Sequence, residues 1–261
     1  MNDLVAQFGA SQAAGFILVL ARIAPLFLLA PIFSSRMIPA RAKGVAAVAL
    51  AIGMAPVAMR GAPGRVPTDA FALAELAVKE LLIGLAFAFA VAVVFQAMSI
   101  AGSFLDTLVG FSFGSLVDPI TGVQSPVLSQ TYSLVGVMIF IAIGGDGWMI
   151  KGLAETYDLV PLLAFPSLGA LVGGVNAAFV DIFVSALQIA APVLIAVTIT
   201  DAAFGIVSRV SPQMNVFAVG MPAKIIIAIL LLGASLPFVA GYVDDALRGG
   251  ISDSLNSIKT R

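Results

Sequence analysis

Residues 209–224 read RVSPQMNVFAVGMPAK, and this polar stretch with two prolines separates two long apolar segments at 177–199 and 225–243. The second segment contains 19 residues without a charge, which is close to the roughly 20 apolar residues that a helix needs to cross a bilayer. A charge near the centre of a membrane helix costs roughly 2.5–3.5 kcal/mol on insertion scales. We therefore expect Arg209 and Lys224 to lie against protein or water rather than lipid.

The composition of the whole chain predicts an all-α integral membrane protein. Of its 261 residues, 61% are hydrophobic and 10% are charged, with a mean hydropathy of +1.11, whereas soluble domains carry about 25% charged residues. The net charge of −1 argues against a nucleic-acid partner, since such partners select basic surfaces. The chain has no cysteine and no histidine, which excludes disulfides, thiolate metal sites and a Ser-His triad. We therefore expect no enzymatic activity and no catalytic residue, metal or cofactor.

Six apolar segments follow one another along the chain, and we expect about six membrane helices arranged as hairpins. The segment 44–59 has only 16 residues, fewer than a comfortable crossing needs. Short and interrupted segments indicate helices that pack on other protein more than on lipid. The polar tail at 244–261 is expected to be an exposed helix or disordered. The segments lie at 14–33, 44–59, 81–101, 131–150, 177–199 and 225–243.

The connection 104–126 reads FLDTLVGFSFGSLVDPITGVQSP and combines apolar side chains with glycines and a turn signal at Asp118-Pro119. Irregular apolar backbone at membrane depth is tolerated only inside protein or beside a watery cavity. The pattern therefore predicts either a buried plug or a connector pressed between helices.

Within this connection, GFSFG at 110–114 matches the G-x-S-x-G pattern of serine hydrolases. A serine nucleophile needs a base to take its proton, and the chain has no histidine. The same glycines fit G-x-x-x-G, a pattern that lets helices approach closely. We favour the packing interpretation.

The carboxylates within or near the apolar segments allow two interpretations. They could form the relay of a secondary transporter, with Asp181 or Asp201 in the coupling site, or they could pair with basic residues where helices meet. Asp201 could lie near Arg209 if one helix includes both. No two of these carboxylates show a metal-like or paired spacing, which favours the structural interpretation. The carboxylates are Glu75, Glu80, Asp106, Asp118, Asp181 and Asp201, and the candidate basic partners are Arg22, Lys79, Arg209 and Lys224.

Four stretches of the chain resemble the FliR family, the flagellar member of the type III secretion export gate. They are 28–43, 110–126, 140–148 and 209–224. In the last of them, SPQMNVF followed by GMPAK is hard to reach by chance, and the FSSR and IPAR of the first look more flagellar than injectisome-like. GGDGW at 144–148 departs from the family, whose members often carry histidines there, so no role of those histidines carries over.

The resemblance implies a structural and gating subunit that helps secrete flagellar proteins across the bacterial inner membrane at the flagellar basal body. It implies one copy of the chain in a hetero-oligomeric helical gate with two smaller, multi-copy membrane subunits, beside other membrane proteins of the export apparatus. Its remaining contacts would be membrane lipid and unfolded export substrates in transit. It also implies an N-terminal part at 1–165, which holds the central loop, and a C-terminal hairpin part at 166–261, which holds the polar tail.

The resemblance assigns residues to two roles. The central loop of the family acts as a plug, which maps onto 104–126, and the stretch at 209–224 would form a hinge that contacts neighbouring subunits. An injectisome export-gate subunit is the alternative within the same mechanism, and a transporter of a small solute is the alternative outside it. The plug residues are Leu108, Gly110, Phe111, Phe113, Gly114, Asp118 and Pro119, and the hinge and contact residues are Arg36, Arg41, Asp201, Arg209, Pro212, Gln213, Asn215, Phe217, Gly220, Pro222 and Lys224.

Overall fold

The computed structural model describes residues 2–35, 38–60, 66–111, 126–213 and 215–258. Within these ranges every regular element is an α-helix, as expected for apolar segments that must satisfy their backbone hydrogen bonds internally. The helices are α1 (Asn2–Leu29), α2 (Pro31–Ser34), α3 (Ala40–Arg60), α4 (Ala70–Val109), α5 (Val127–Ala142), α6 (Gly145–Leu159), α7 (Leu168–Val210) and α8 (Val216–Ile258).

Among the described residues, five helices are long and apolar enough to cross a membrane, and the bent pair α5 and α6 gives a sixth span if it counts as one. The prediction of an all-α membrane protein with about six apolar helices is thereby confirmed. The five spans are Gly9–Leu29, Ala40–Arg60, Ala70–Val109, Gly169–Val210 and Ala218–Gly250.

The helix α3 is longer than the apolar segment that predicted it. It begins at Ala40 and has 21 residues, so the inference from 44–59 of a segment too short to cross is wrong. Its first turn includes Lys43, whose Nζ donates a hydrogen bond of 2.9 Å to the carbonyl oxygen of Ser34. The helix therefore begins with charged residues, and hydropathy alone places its start too late, at Gly44 instead of Ala40.

The polar tail continues α8 as a helix as far as Ile258. The expectation of a helix is correct there, but Leu247 is buried, so the tail is not exposed along its whole length. Buried apolar residues at Val243 and Leu247 are four apart, a spacing that places both on one face of the helix.

The segment predicted at 131–150 is two helices instead of one. The axes of α5 and α6 differ by 74°, and Gly144 between them has a φ of 68°. Glycine reaches this left-handed region without the steric cost that other residues meet. Hydropathy does not register this property, so the apolar segment at 131–150 gave no sign of the bend, although the two helices together still qualify as one candidate span.

The contacts divide the chain into two compact units. The first unit comprises Met1–Val93, Gly144–Val180 and Leu247–Arg261, and the second comprises Val94–Ile143 and Asp181–Ala246. In the first unit α1 packs against α3, and α3 contacts α6. The division at 165/166 stays a prediction. It concerns which part of the chain resembles which partner subunit, and contacts within one chain do not test that.

The second unit brings the end of α4 against α5. The rings of Phe95 and Phe140 lie 5.3 Å apart in a tilted arrangement, and Gly136 packs against the side chain of Met98. This contact positions the two ends of the connection between α4 and α5.

Candidate functional site

A buried ion cluster joins α1, α4 and the end of α6 in the first unit. The side chains of Arg22 and Glu80 are fully buried and Lys79 is nearly so. Arg22 Nε donates to Glu80 Oε2 at 2.5 Å, and Lys79 Nζ lies 2.8 Å from Glu80 Oε1. One carboxylate thus faces a guanidinium and an ammonium group in an interior where an unpaired charge would be costly.

Backbone carbonyl oxygens at and just after the C-terminal end of α6 accept the remaining hydrogen bonds of the two cations. Arg22 donates from Nη1 to the carbonyl oxygen of Thr156 at 3.0 Å and from Nη2 to that of Val160 at 2.9 Å, and Lys79 donates to the carbonyl oxygen of Leu162. Val160 and Leu162 follow the last residue of α6, Leu159, and carbonyls near the C-terminus of a helix lie at the negative end of its dipole. The guanidinium also lies 4.1 Å from the centre of the Tyr157 ring.

The role of this cluster is best explained as holding α1 against α4. The backbone of Gly84 approaches α1 so closely that a Cβ atom would lie 2.1 Å from the carbonyl oxygen of Arg22. Because Glu80 is enclosed and held by two cations, it suits the pairing interpretation of the carboxylates better than a relay. The sequence identified Arg22, Lys79 and Glu80 as candidate partners, but the carbonyls of α6 have no signal in the sequence.

A second buried carboxylate, Asp106, ties α4 to α5. It is 3% exposed, and its Oδ1 and Oδ2 accept hydrogen bonds from the backbone N–H groups of Leu128 (2.8 Å) and Ser129 (2.9 Å). These groups lie in the first turn of α5, where N–H groups have no partner within the helix. The local N-cap position, Pro126, provides no side-chain hydrogen bond. A carboxylate from another helix therefore caps α5.

The two helices touch directly beside this carboxylate. A Cβ atom on Gly102 would lie 2.3 Å from the Cα of Ser129, so only glycine fits. Ser129 Oγ donates to the carbonyl oxygen of Ser99 at 2.9 Å, and Ser103 Oγ donates to Ser129 Oγ at 3.3 Å. We call this arrangement the stem, which comprises Ser99, Gly102, Ser103 and Asp106 of α4 and Leu128 and Ser129 of α5.

The stem changes the predicted extent of the central loop. Residues 104–109 belong to α4, so the expectation of an irregular backbone from residue 104 is wrong there, and Leu108 lies on a helix. Gly110 then has a φ of 100°, which ends the helix, because this left-handed backbone favours glycine. Gly110 and Phe111 form a turn. The remaining predicted plug residues lie outside the described residues: Phe113, Gly114, Asp118 and Pro119.

The non-helical connection within the predicted hinge at 209–224 is also shorter than expected. The helix α7 continues through Arg209 to Val210, and α8 already begins at Val216. Gly220, Pro222 and Lys224 therefore lie within a helix, a correction that follows from the tolerance of membrane helices for proline. The residues between the helices that the structure describes include Pro212, Gln213 and Asn215.

The side chain of Asn215 helps to begin α8. Its Oδ1 accepts a hydrogen bond of 3.2 Å from the N–H of Ala218, as asparagine does at helix N-caps. Phe217 belongs to the helix by its backbone, and Gly220 packs near the Phe204 ring. Arg41 is exposed in the first turn of α3, and Arg36 lies outside the described residues.

Asp201 of α7 forms an ion pair with Lys224 of α8. The helix does include both Asp201 and Arg209, but the proximity considered for these two is not what the structure shows. Eight residues along a helix separate them by about 12 Å. Asp181, the other carboxylate considered for a coupling site, is exposed on α7.

The helices α7 and α8 present much of their apolar surface outward. In the most apolar window of each span, 33% of α7 and 17% of α8 is buried, compared with 61% of α4. Apolar surface of this extent marks contact with lipid or with other proteins. The exposed residues include Leu187, Ile195, Ile199, Ile206, Ile226, Ile229 and Leu230.

Comparison with known proteins gives consistent matches over most of the chain. Residues 13–249 match the family described as bacterial export proteins, family 1. The flagellar biosynthetic protein FliR of Bacillus subtilis is 31% identical over 237 residues, which are 89% of this chain and 88% of the relative. FliR of Escherichia coli is 29% identical over 226 residues, 86% and 85% of the two chains.

A relative with a different name also matches. The surface presentation of antigens protein SpaR of Salmonella typhimurium is 27% identical over 225 residues, which are 85% of this chain and 81% of the relative. The family match covers all four stretches in which the resemblance to FliR was recognised, 28–43, 110–126, 140–148 and 209–224. The chain belongs to the bacterial export proteins, family 1.

Proposed function

We propose that this protein is a structural and gating subunit of the flagellar type III protein export gate. The observation that carries this proposal is the family match across residues 13–249, together with flagellar biosynthetic relatives that cover most of the chain. The protein works as a membrane component through which other proteins are exported, and its role is assembly and gating rather than catalysis.

The connection at 110–126 is the proposed gate. It leaves α4 at Gly110 and returns to α5 at Val127, and the stem holds the two ends together. Functional segments are often loops that a rigid scaffold positions, and long connections are usually functional. Glycines and apolar side chains in this segment suit a plug that seals against ions and yields to an unfolded polypeptide.

The exposed apolar faces of α7 and α8 suit contact with neighbouring membrane helices. We propose two smaller, multi-copy export-gate subunits as these neighbours, with other membrane proteins of the export apparatus around them and lipid on the remaining surface. The predicted hinge at 209–224, including Pro212, Gln213 and Asn215 between α7 and α8, would contact the adjacent subunits. The assembly would lie in the bacterial inner membrane, at the flagellar basal body.

The other functions considered are less well supported. Flagellar relatives are 26–31% identical to this chain and SpaR of Salmonella typhimurium is 27% identical, and it is the FSSR at 33–36 and the IPAR at 38–41 that favour flagellar cargo. A small-solute transporter has no support among these matches. Of its two candidate coupling residues, Asp201 pairs with Lys224 and Asp181 is exposed on α7.

Deleting residues 110–114, or replacing Phe111 with alanine, is expected to make the gate leak ions, because it removes apolar contact area from the plug. The measurement is the dissipation of membrane potential in cells that express the variant, together with secretion of a flagellar substrate. Phe71→Ala is the matched control, since Phe71 is 83% exposed at the start of α4; its leak should equal that of the wild type. A deletion variant that stays tight and secretes normally would show that this segment is not the plug.

A further inference from the structure

We propose that a cleft between α1, α4 and α7 binds one acyl chain of a membrane phospholipid, and that the side-chain amide of Asn176 donates a hydrogen bond to the ester carbonyl of that chain. Lipid binding at this cleft goes beyond the proposed export function and does not depend on it. All the residues that line the cleft belong to the first compact unit.

The cleft is an open cavity of about 580 Å³. Its walls are one face of α4 and one face of α7, because the lining residues on each helix recur three to four positions apart. The last residue of α1, Leu29, also lines it. The lining residues include Leu82, Ala86 and Phe89 of α4 and Leu171, Val175 and Phe179 of α7.

The floor of the cleft belongs to the buried core, whereas its rim is open. Leu171 packs with Ile83 and Val160, and the latter two side chains are fully buried. At the rim, Leu82 and Val172 are exposed. The cleft is therefore a fixed concavity with one open side, as small-molecule sites commonly are.

The surroundings of the cleft select an apolar occupant. Each of the three helices contains a candidate membrane span, and among the described residues that line the cleft only Asn176 is polar. An apolar cavity does not hold water, and empty space deprives the lining atoms of dispersion contacts. The hydrocarbon chains of lipid are the apolar molecules that surround a membrane span.

The size of the cleft favours a single chain over a helix of another protein. An α-helix about 10 Å across takes up roughly 80 Å³ per ångström of its length. The 580 Å³ of the cleft would thus hold only about five residues of such a helix. The same volume lies within the range of small-molecule sites, about 300–1,000 Å³.

The side chain of Asn176 identifies the polar part of the ligand. It is exposed where it lines the cleft, and no group in the described part of the chain is hydrogen-bonded to it. An amide without a partner is costly in apolar surroundings, and asparagine in membrane helices commonly finds one. An ester-linked acyl chain carries an acceptor carbonyl and an apolar tail in one molecule, which fits one amide beside an apolar cleft.

Val175→Trp tests the cleft, because the indole ring would occupy the space of the acyl chain. The full-length chain is purified in mild detergent and titrated with palmitoyl-oleoyl phosphatidylcholine, and bound copies are counted by native mass spectrometry. The wild type should bind one copy saturably, and Val175→Trp should bind it about tenfold or more weakly, because the substitution builds a clash against the ligand.

Val184→Trp is the matched control for this variant. Val184 is an exposed valine of the same helix, at 47% compared with 40% for Val175, and it lies about two and a half turns further along, on the opposite face. Its lipid binding should equal that of the wild type. Saturating lipid should also raise the Tm of the wild type and of Val184→Trp but not that of Val175→Trp, since a ligand stabilises the state that binds it.

Asn176→Leu tests the hydrogen bond with two lipids. The wild type should bind the ester lipid about three- to tenfold more tightly than its dialkyl ether analogue, which has no carbonyl, because a neutral hydrogen bond shifts an equilibrium by about that factor. The Asn176→Leu protein should bind both lipids equally, with about the affinity that the wild type has for the ether lipid.

Three results would overturn the proposal. Equal binding by Val175→Trp and Val184→Trp would show that lipid coats the helices without a site. A wild type that binds ester and ether lipids equally would remove the role of Asn176. Lipid that binds the isolated chain but is missing from the assembly purified with its genomic neighbours would show that a partner protein fills the cleft. Because binding is measured on purified protein, none of these results depends on whether the chain exports proteins.

Discussion

Replacing Glu80 with glutamine is expected to lower the free energy of unfolding by about 3–5 kcal/mol, the cost of breaking a buried ion pair from one side. The carboxylate lies within 2.5 Å of Arg22 Nε and 2.8 Å of Lys79 Nζ, and none of the three side chains has significant access to solvent. Glutamine is neutral, so the two buried cations keep only the backbone carbonyls at and just after the end of α6 as partners. The loss approaches the whole stability of many domains, about 5–15 kcal/mol.

The measurement is denaturant unfolding of the purified subunit in detergent, with the amount of the subunit in membranes as a second readout. Glu155→Gln is the control, because Glu155 pairs with Lys151 at 3.9 Å on an exposed surface. Exposed pairs contribute about 0–1 kcal/mol, so the control should unfold almost as the wild type does. Equal stability of the two variants would contradict the description of the cluster as buried and closely paired.

Replacing Gly102 with valine is expected to separate α4 from α5 and to open the gate permanently. Even the first carbon of the new side chain would meet Ser129 Cα at 2.3 Å and the carbonyl oxygen of Leu128 at 2.6 Å. Both are backbone atoms, which cannot move away by a change of rotamer as a side-chain atom can. Overpacking costs about 1–3 kcal/mol, and separation would also break the hydrogen bonds to Asp106, each worth about 1.5–3 kcal/mol.

A series of glycine-to-alanine variants makes this prediction quantitative. Gly102→Ala should be the most harmful, because its new contact is with backbone. Gly136→Ala should be milder, since its nearest neighbour is the flexible side chain of Met98 at 3.3 Å. Gly233→Ala meets nothing within 4 Å and should be neutral or slightly stabilising, because alanine favours helix. Thermal unfolding and ion leak should follow this order, and a Gly102→Ala protein indistinguishable from Gly233→Ala would exclude the close approach.

The fold class was predictable because it depends on quantities that composition contains. Long apolar segments with few charges leave helices as the natural solution in a membrane, and the family resemblance noted in the sequence is confirmed by the match over residues 13–249. The ends of the helices were less predictable. Hydropathy placed the start of the apolar segment after Arg41 and Lys43, but α3 includes both residues. Hydropathy also predicted one segment through Gly144, where the chain bends.

The two buried clusters show where the sequence was informative and where it was not. Charged residues in apolar surroundings marked Arg22, Glu80 and Asp106 as residues that need partners. The partners of Asp106 are backbone N–H groups of Leu128 and Ser129, and backbone groups are the same for every residue. For that reason the sequence could not show that Asp106 caps another helix, nor that Asp201 pairs with Lys224 rather than Arg209.

The roles of the plug and hinge residues stay predictions, because most of the plug lies outside the described residues and the hinge would act on other chains. In the structure α4 continues to Val109 and α7 to Val210, and α8 begins at Val216. Leu108 lies on α4, so variants at this position test the end of that helix rather than the connection at 110–126.

Native mass spectrometry of the tagged chain, purified gently after co-expression with its genomic neighbours, tests the central assignment most directly. The export-gate account predicts one copy of this chain held with several copies of each of two small helical membrane proteins. A monomer or a symmetric homodimer without such partners would contradict it.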